Sequence, residues 1–436
     1  MKSKTLNKDK VNIITLGCSK NLVDSEVLSG QLSANDIDVV HENNKLDHNI
    51  VVVNTCGFID KAKEESINTI LDQLELKRRG RLDKVYVTGC LSERYRSDLE
   101  AEMPEVDAWF GTMELPLILK KFEADYKAEL VGERLLSTPQ HYAYMKISEG
   151  CNRTCSFCAI PLMRGQHVSK PIEELVAEAA ALVKKGVKEI MLIAQELTYY
   201  GLDIYKKREL PRLLHALADV KGLEWIRLHY AYPSKFPLEV LDVMRERGNI
   251  CKYLDMPLQH ASNAMLKAMR RNITREEMSE LIHEIRERVP GICLRTTLIA
   301  GFPGETAADV EELKAFLQEH RFDRVGIFNY SHEENTSAYD LVDDVPAAVK
   351  AERAQEIMEV QQEISLEKNM EKVGQVLKVI IDKKEAGRYL GRTEFDSVEV
   401  DNEVVIHSKK KLTIGDFVMV KITKAYDYDL EGEVVS

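Results

Sequence analysis

Gly150-Cys151-Asn152-Arg153-Thr154-Cys155-Ser156-Phe157-Cys158 sets three cysteines close together, with three residues between the first pair and two between the second. Thiolates are the usual ligands of iron–sulfur clusters, and a closed four-iron cluster takes four of them. Three ligands leave one iron open to an exogenous molecule, and an open metal position separates a catalytic site from a structural one. Phe157, just before the third cysteine, sets an aromatic ring against whatever occupies that position. Two plainer readings compete: a zinc knuckle completed by a distant histidine, and thiols buried as apolar filler. The order of three then two does not match the paired Cys-x-x-Cys arms usual for zinc.

The spacing resembles the radical S-adenosylmethionine (SAM) superfamily. The resemblance implies that the open iron of the Cys151/Cys155/Cys158 cluster chelates SAM, and that reduction of the cluster cleaves SAM to a 5′-deoxyadenosyl radical.

Length and composition bound the rest. A chain of 436 residues exceeds one ordinary domain. A hydrophobic fraction of 44% supplies sizeable cores. A formal charge of −12 argues against a protein that binds polyanions through bulk charge. The start from Met1 to Lys10 is polar and lysine-rich with no apolar core, so no secretory signal is expected there. No run of about 18 apolar residues appears, so no membrane span is expected. Eight cysteines are too few for a disulfide scaffold in a chain this long, and thiols kept free for metal suit a reducing cytoplasm. Cys251 and Cys293, in apolar strand-like context, read as core filler.

Residues 1–130 read as an α/β domain with a parallel sheet. Strands are expected at Val11 to Leu16, Ile50 to Val53, Lys84 to Val87 and Val106 to Thr112. Helices are expected from Asp24 to Leu32, from Lys61 to about Leu76, and from about Ser92. Cys18, Cys56 and Cys90 each fall just past a strand and just before a helix. In an open α/β sheet those strand ends line one crevice where ligands bind. Three unrelated core cysteines is the plain reading; the preferred one is a second cluster on three thiolates, again with an open iron.

Residues 131–370 read as alternating strands and helices. The strands are Ala143 to Ser148, Glu189 to Ala194, Trp225 to His229, Tyr253 to Met256, Leu294 to Ile299 and Val325 to Tyr330. Six such units fit a partial (β/α)6 barrel of the triosephosphate-isomerase type, with its active site at the carboxyl ends of the strands. A charged amphipathic helix from Ala347 to Met370 closes the domain. Residues 371–436 alternate with period two between Gly374, Gly391, Gly415 and Gly432, and read as a small antiparallel β-barrel of about five strands.

Several stretches together resemble the methylthiotransferases. Leu16-Gly17-Cys18-Ser19-Lys20-Asn21-Leu22-Val23-Asp24-Ser25-Glu26, Asn54-Thr55-Cys56-Gly57-Phe58-Ile59 and Gly89-Cys90-Leu91 are similar to that family's amino-terminal domain, and the tail to its TRAM domain. The RimO type modifies an aspartate of a small-subunit ribosomal protein in the decoding centre; the MiaB type modifies an isopentenylated adenosine of tRNA. Ser19 to Val23, Gly57 to Asp60 and Asn152 to Cys158 resemble the RimO type. The tail agrees, because a tRNA-binding barrel needs basic groups to meet phosphates, and acidic residues slightly outnumber basic ones there.

The resemblance implies two 4Fe-4S clusters, on Cys18/Cys56/Cys90 and on Cys151/Cys155/Cys158, and two SAM molecules per turnover, one a methyl donor and one a radical source. It implies insertion of SCH3 at the β-carbon of the substrate aspartate. No side chain breaks such a C–H bond, so a cofactor must. A flavodoxin- or ferredoxin-like reductant is the implied electron donor. The superfamily's Gly-Gly-Glu segment appears as Ala194-Gln195-Glu196, so Gln195 and Glu196 are candidates for the SAM ammonium; a solvated strand end is the plain alternative. Thr297-Leu298-Ile299-Ala300-Gly301-Phe302-Pro303 stands where an adenine-packing segment is expected, which makes Ile299 a candidate. Arg295, on the same strand, is a candidate for the SAM carboxylate or an ordinary ion pair. Phe157 completes the set; His260 reads as a hydrogen-bonded core residue, and Arg164 and Lys146 as possible helpers. A non-catalytic iron–sulfur or zinc protein is the reading of another class.

Overall fold

A strand buried on both faces needs an unbroken apolar run, and Ile50-Val51-Val52-Val53 supplies one at the centre of the first sheet. The computed structural model describes residues 9–43, 47–127 and 134–435. Strand β1 (Lys10–Thr15) leads to α1 (Ser19–Ser33), β2 (Asp38–His41), β3 (Ile50–Thr55), α2 (Asp60–Arg78), β4 (Lys84–Gly89), α3 (Cys90–Glu102), β5 (Ala108–Trp109) and α4 (Leu115–Lys121). The sheet order is β2-β1-β3-β4-β5, and every pairing is parallel. In this order the chain reverses its direction of winding between β1 and β3, the place where doubly wound sheets open a ligand crevice.

Four details differ from expectation. Helix α1 begins at Ser19, directly after Cys18, because its buried face carries Lys20, Asn21, Ser25, Glu26 and Ser29 and so hides the apolar period. Strand β2 has only four residues. The strand expected over Val106 to Thr112 is two residues long and lies at the sheet edge, with Trp109 and Phe110 packed into separate cores. Helix α4 went unread in the sequence.

Strand β6 (Tyr142–Lys146) is followed by β7 (Ser148–Glu149), α5 (Ile160–Arg164), β8 (Val168–Ser169) and α6 (Ile172–Lys184). Then come β9 (Glu189–Ile193), α7 (Leu210–Ala218), β10 (Trp225–Leu228), α8 (Glu239–Glu246), β11 (Ile250–Asp255), α9 (Asn263–Ala268), α10 (Arg275–Arg288), β12 (Cys293–Ala300), α11 (Ala307–His320) and β13 (Arg324–Asn329). The six long strands form one sheet in the order β13-β12-β11-β10-β9-β6, all parallel. This is the expected partial barrel. Helices α10 and α11 each start on a reciprocal cap, Thr274 with Glu277 and Thr306 with Asp309, which satisfies orphan amides at the helix start. Cys251 and Cys293 are buried against Trp225 and Tyr253.

Helix α12 (Ala347–Met370) buries Ile357, Gln361, Ile364, Ser365 and Asn369 along one stripe. It leads into β14 (Val376–Glu385), β15 (Arg388–Thr393), β16 (Val404–His407), β17 (Phe417–Ala425) and β18 (Leu430–Val434), which close a barrel. All its pairings are antiparallel except β16 with β18.

The chain divides into two units. One comprises Met1–Thr138, Glu149–Asn152 and Ala159–Val168; the other comprises Pro139–Ser148, Arg153–Cys158 and Ser169–Ser436. Within the second unit, residues 393–401 reach the strands of the β/α barrel. Arg227 donates to the Thr393 and Glu394 carbonyls, Arg324 pairs with Asp396 at 2.6 Å, and Ser397 meets His229 at 2.9 Å. Asp401 accepts from Tyr253 at 2.7 Å and Arg295 at 3.2 Å. Fully buried Glu189 holds Arg227 at 2.8 Å and Arg392 at 2.7 Å.

Candidate functional site

In the first unit, Cys18 and Cys56 lie in the loops after β1 and β3, and Cys90 opens α3 directly after β4; the three strands are neighbours in the sheet. Two glycines are required by their closeness. Gly17 has φ +90°, and a Cβ there would lie 2.6 Å from Cys56 Cβ and 2.7 Å from its Sγ. Gly89 has φ +101°, and a Cβ there would lie 2.5 Å from the Asn54 side chain. Asn21 ties the loops together, its amide donating to the Leu16 carbonyl at 2.8 Å and the Thr55 carbonyl at 3.0 Å. The Cys56 N–H donates to Ser66 Oγ at 3.0 Å.

Cys18 is exposed; Cys56 and Cys90 are buried. Burial pushes the Cys56 thiol up to about 12, and Cys18 and Cys90 lie close enough for their charges to raise it further. Burial raises Cys90 as well. Neither buried thiol is a free nucleophile at neutral pH; ionisation there needs a cation in place of lost water. One is at hand. Arg164, on α5, donates through Nε to Cys90 Sγ at 3.3 Å and pairs with Asp24 at 2.6 Å and Glu149 at 3.4 Å. Burial alone would lower the pKa of Arg164, but Asp24, Cys90 and Glu149 outweigh it and hold the pKa above the ordinary value. Among the described residues no three His, Cys, Asp or Glu side chains converge on a single ion's position. A cluster makes a looser demand, since each thiolate meets its own iron. Three sulfurs at the carboxyl ends of neighbouring strands, with an arginine on one of them, fit such a group.

The Cys151–Cys158 stretch is held from both sides of its sequence. In the first unit, the Cys151 N–H donates to the Gly165 carbonyl at 3.1 Å. Gly150 has φ +74°, where a Cβ would lie 2.0 Å from the Gln166 carbonyl oxygen. In the second unit, the Cys158 N–H donates to the Cys155 carbonyl at 3.2 Å, and Ser156 bonds the Met269 and Ala268 carbonyls. Cys155 Sγ accepts from Arg271 Nη1 at 3.2 Å and lies 3.7 Å from the Tyr232 hydroxyl. Arg153 is stacked between the rings of Tyr199, 4.0 Å to the centroid, and Tyr232, 3.8 Å. It also pairs with Glu196 at 3.2 Å.

The candidate SAM contacts separate into groups. Phe157 and Ile299 meet in one apolar cluster with Met265, Met269, Phe302, Tyr330 and Ala338. Gln195 and Glu196 follow β9, and Glu196 is already engaged: one oxygen accepts from the Thr198 amide at 2.7 Å and its hydroxyl at 2.5 Å, while the other faces Arg153. Arg295 stands apart. It precedes Ile299 by four strand residues, about 13 Å, and its guanidinium pairs with Asp255 at 3.0 Å and Asp401 at 3.2 Å. Here the ion-pair reading describes its surroundings. His260 is fully buried, with Nδ1 accepting from the Ala261 and Ser262 amides at 2.9 Å. Sequence reasoning missed Arg153, Tyr232 and Arg271. Arg153 lay in plain view between two cysteines; Tyr232 follows the end of β10, where barrel enzymes place site residues; Arg271 carries no local signal.

Residues 145–317 match the radical SAM superfamily, 10–111 the uncharacterized protein family UPF0004, and 373–435 the TRAM domain. Among solved structures, the radical S-adenosylmethionine methyltransferase TsrM from Kitasatospora setae aligns with TM-score 0.56 at 15% identity, covering 73% of this chain and 72% of that one. At that identity the likeness bears on fold alone. The "Ribosomal protein uS12 methylthiotransferase RimO" of Cytophaga hutchinsonii is 61% identical over all of both chains. That of Porphyromonas gingivalis is 53% identical over 99% of this chain and 100% of its own. Identity at this level along the full length places the chain in the ribosomal protein uS12 methylthiotransferase RimO family.

Proposed function

We propose that this chain is a radical SAM methylthiotransferase that inserts SCH3 at the β-carbon of an aspartate in ribosomal protein uS12. The observation that carries the reading is 61% identity along the whole chain to a protein named for that activity. We assign one 4Fe-4S cluster to Cys18, Cys56 and Cys90 and a second to Cys151, Cys155 and Cys158. Residues 1–130, 131–370 and 371–436 act as the cluster-bearing, radical-forming and tail domains. Bound SAM supplies what side chains cannot, a methyl group and a radical able to take hydrogen from an unactivated carbon.

The chain's own residues hold and shield. Arg153, clamped by two rings and Glu196, fixes the backbone between two cluster cysteines. Phe157 and Ile299 form an apolar wall that suits an adenine face and keeps water from a reactive centre. Gln195 offers an amide near the end of β9. Glu196 reaches the SAM ammonium only by sharing its carboxylate with Arg153, and Arg295 reaches SAM only by leaving Asp255 and Asp401. A low-potential donor of the flavodoxin or ferredoxin class supplies the electron. No helix among the described residues is long and apolar enough to cross a membrane; the cytoplasm is the proposed site of action, since a reducing compartment keeps thiols free for metal.

Intact mass of uS12 tests the reading, after anaerobic incubation with reconstituted protein, SAM, sulfide and a strong reductant. The expected gain is about 46 daltons, one hydrogen replaced by SCH3. Release of 5′-deoxyadenosine without that gain would move the substrate to tRNA. Neither product would leave a non-catalytic iron–sulfur or zinc protein.

A further inference from the structure

A buried cation ordinarily has a carboxylate beside it, because an unpaired charge away from water is costly. Arg271 is 3% exposed and, among the described residues, has no carboxylate within ion-pair distance. Its partners are the Pro257 carbonyl, the face of Tyr232 at 4.1 Å, and Cys155 Sγ at 3.2 Å. The Tyr232 hydroxyl donates to the Arg271 carbonyl at 2.7 Å, which fixes the ring under the guanidinium. The same ring also carries Arg153, 3.8 Å from its centroid, so its π-face is shared between two cations. Among the described residues the groups beside Arg271 that can carry negative charge are the Tyr232 phenol, which burial holds neutral, and the sulfur of Cys155.

Arg164 in the first unit offers the contrast. It too donates to a cluster cysteine, Cys90, but Asp24 and Glu149 balance its charge in place. The protein thus surrounds its two cysteine sets differently. One receives a neutralised arginine, the other a bare one.

We propose that Arg271 is a positioning residue for electron delivery: its uncompensated charge stabilises the reduced form of the cluster bound through Cys155 and makes that cluster easier to reduce. Reduction adds one electron, and one unit of negative charge, to the cluster. A fixed cation within hydrogen-bond distance of a ligand sulfur favours that state, strongly so where water is excluded. The inference rests on the assignment of Cys155 as a cluster ligand.

The test is a redox titration of the reconstituted full-length protein, followed by electron paramagnetic resonance, with a low-potential one-electron reductant as titrant. Signals are assigned by their loss in Cys155→Ala and Cys90→Ala. Arg271→Gln is expected to lower the reduction equilibrium of the Cys155-dependent cluster by about tenfold or more, a fall of 59 mV per tenfold for one electron. The Cys90-dependent cluster should not move. Arg271→Lys keeps the charge but withdraws it from the sulfur, and is expected to lose about threefold. No shift in Arg271→Gln, or an equal shift at both clusters, would overturn the proposal. If Arg271→Gln fails to load the cluster, an Arg271→Lys protein indistinguishable from the unsubstituted one would overturn it instead. Absence of any signal that depends on Cys155 would sink the cluster assignment and not this inference alone.

Discussion

Arg153→Met removes the clamp on the cluster loop while keeping a side chain of similar length. Arg153 lies between two aromatic faces at 3.8 and 4.0 Å and against Glu196, whose side chain is 2% exposed. A desolvated cation over a ring contributes about 1–2 kcal/mol, and there are two. Removing one partner of a buried pair costs about 3 kcal/mol more, because Glu196 keeps only the Thr198 amide and hydroxyl as partners. These terms share partners and do not add fully, so we take about 4 kcal/mol, near a thousandfold in the population of the ordered loop. The assay is iron content after anaerobic reconstitution with limiting iron. The expected result is a fall from about eight irons per chain to about four, the cluster on Cys18, Cys56 and Cys90 remaining. Glu196→Gln, which keeps the shape but drops the charge, should fall between. Full iron loading of Arg153→Met together with undiminished SAM cleavage would refute the reasoning.

Gly17→Ala forces a Cβ against Cys56 at φ +90°; 5′-deoxyadenosine release should persist while the mass gain on uS12 disappears, measured on the same reaction. The stability of the second unit should depend on pH through Glu189. Burial favours its neutral form, but Arg392 and Arg227 outweigh it and hold its pKa to about 2 against an ordinary 4.5. The stabilisation is therefore complete above pH 4.5 and lost as pH falls through about 2, on the order of 3 kcal/mol in all. Urea midpoints followed by Trp225 fluorescence in a Trp109→Phe background should fall with acid more steeply for Glu189 than for Glu189→Gln. Asp401→Asn weakens the acceptor for Tyr253, Arg295 and the Ser397 amide and should lower stability by about 2 kcal/mol, read by the same unfolding curve.

What the sequence disclosed follows from where its signals are local. A cysteine after an apolar strand and before a helix can be read from a dozen residues, so Cys18, Cys56 and Cys90 were found before their strands were known to be neighbours. The six barrel strands announced themselves as apolar runs at regular intervals. Strand β2 did not, because four edge residues carry too little pattern. Arg271 and Tyr232 are 39 residues apart and meet only because neighbouring barrel units bring their loops together. Arg295 shows the converse. Its place on an adenine-packing strand suggested a cofactor contact, yet Asp401, more than a hundred residues later, claims its charge.

The reach of residues 393–401 into the β/α barrel bears on how such a chain can be inherited. A terminal domain joined by a linker can be exchanged or shed with little harm to its neighbour. Here removal would strip partners from Arg227, Arg295 and Arg324 at once, leaving Arg227 with Glu189, Arg295 with Asp255, and Arg324 without the carboxylate of Asp396. The tail and the radical-forming barrel are therefore expected to descend as one unit of recombination, and a chimaera that takes its tail from another lineage must bring the matching barrel arginines with it.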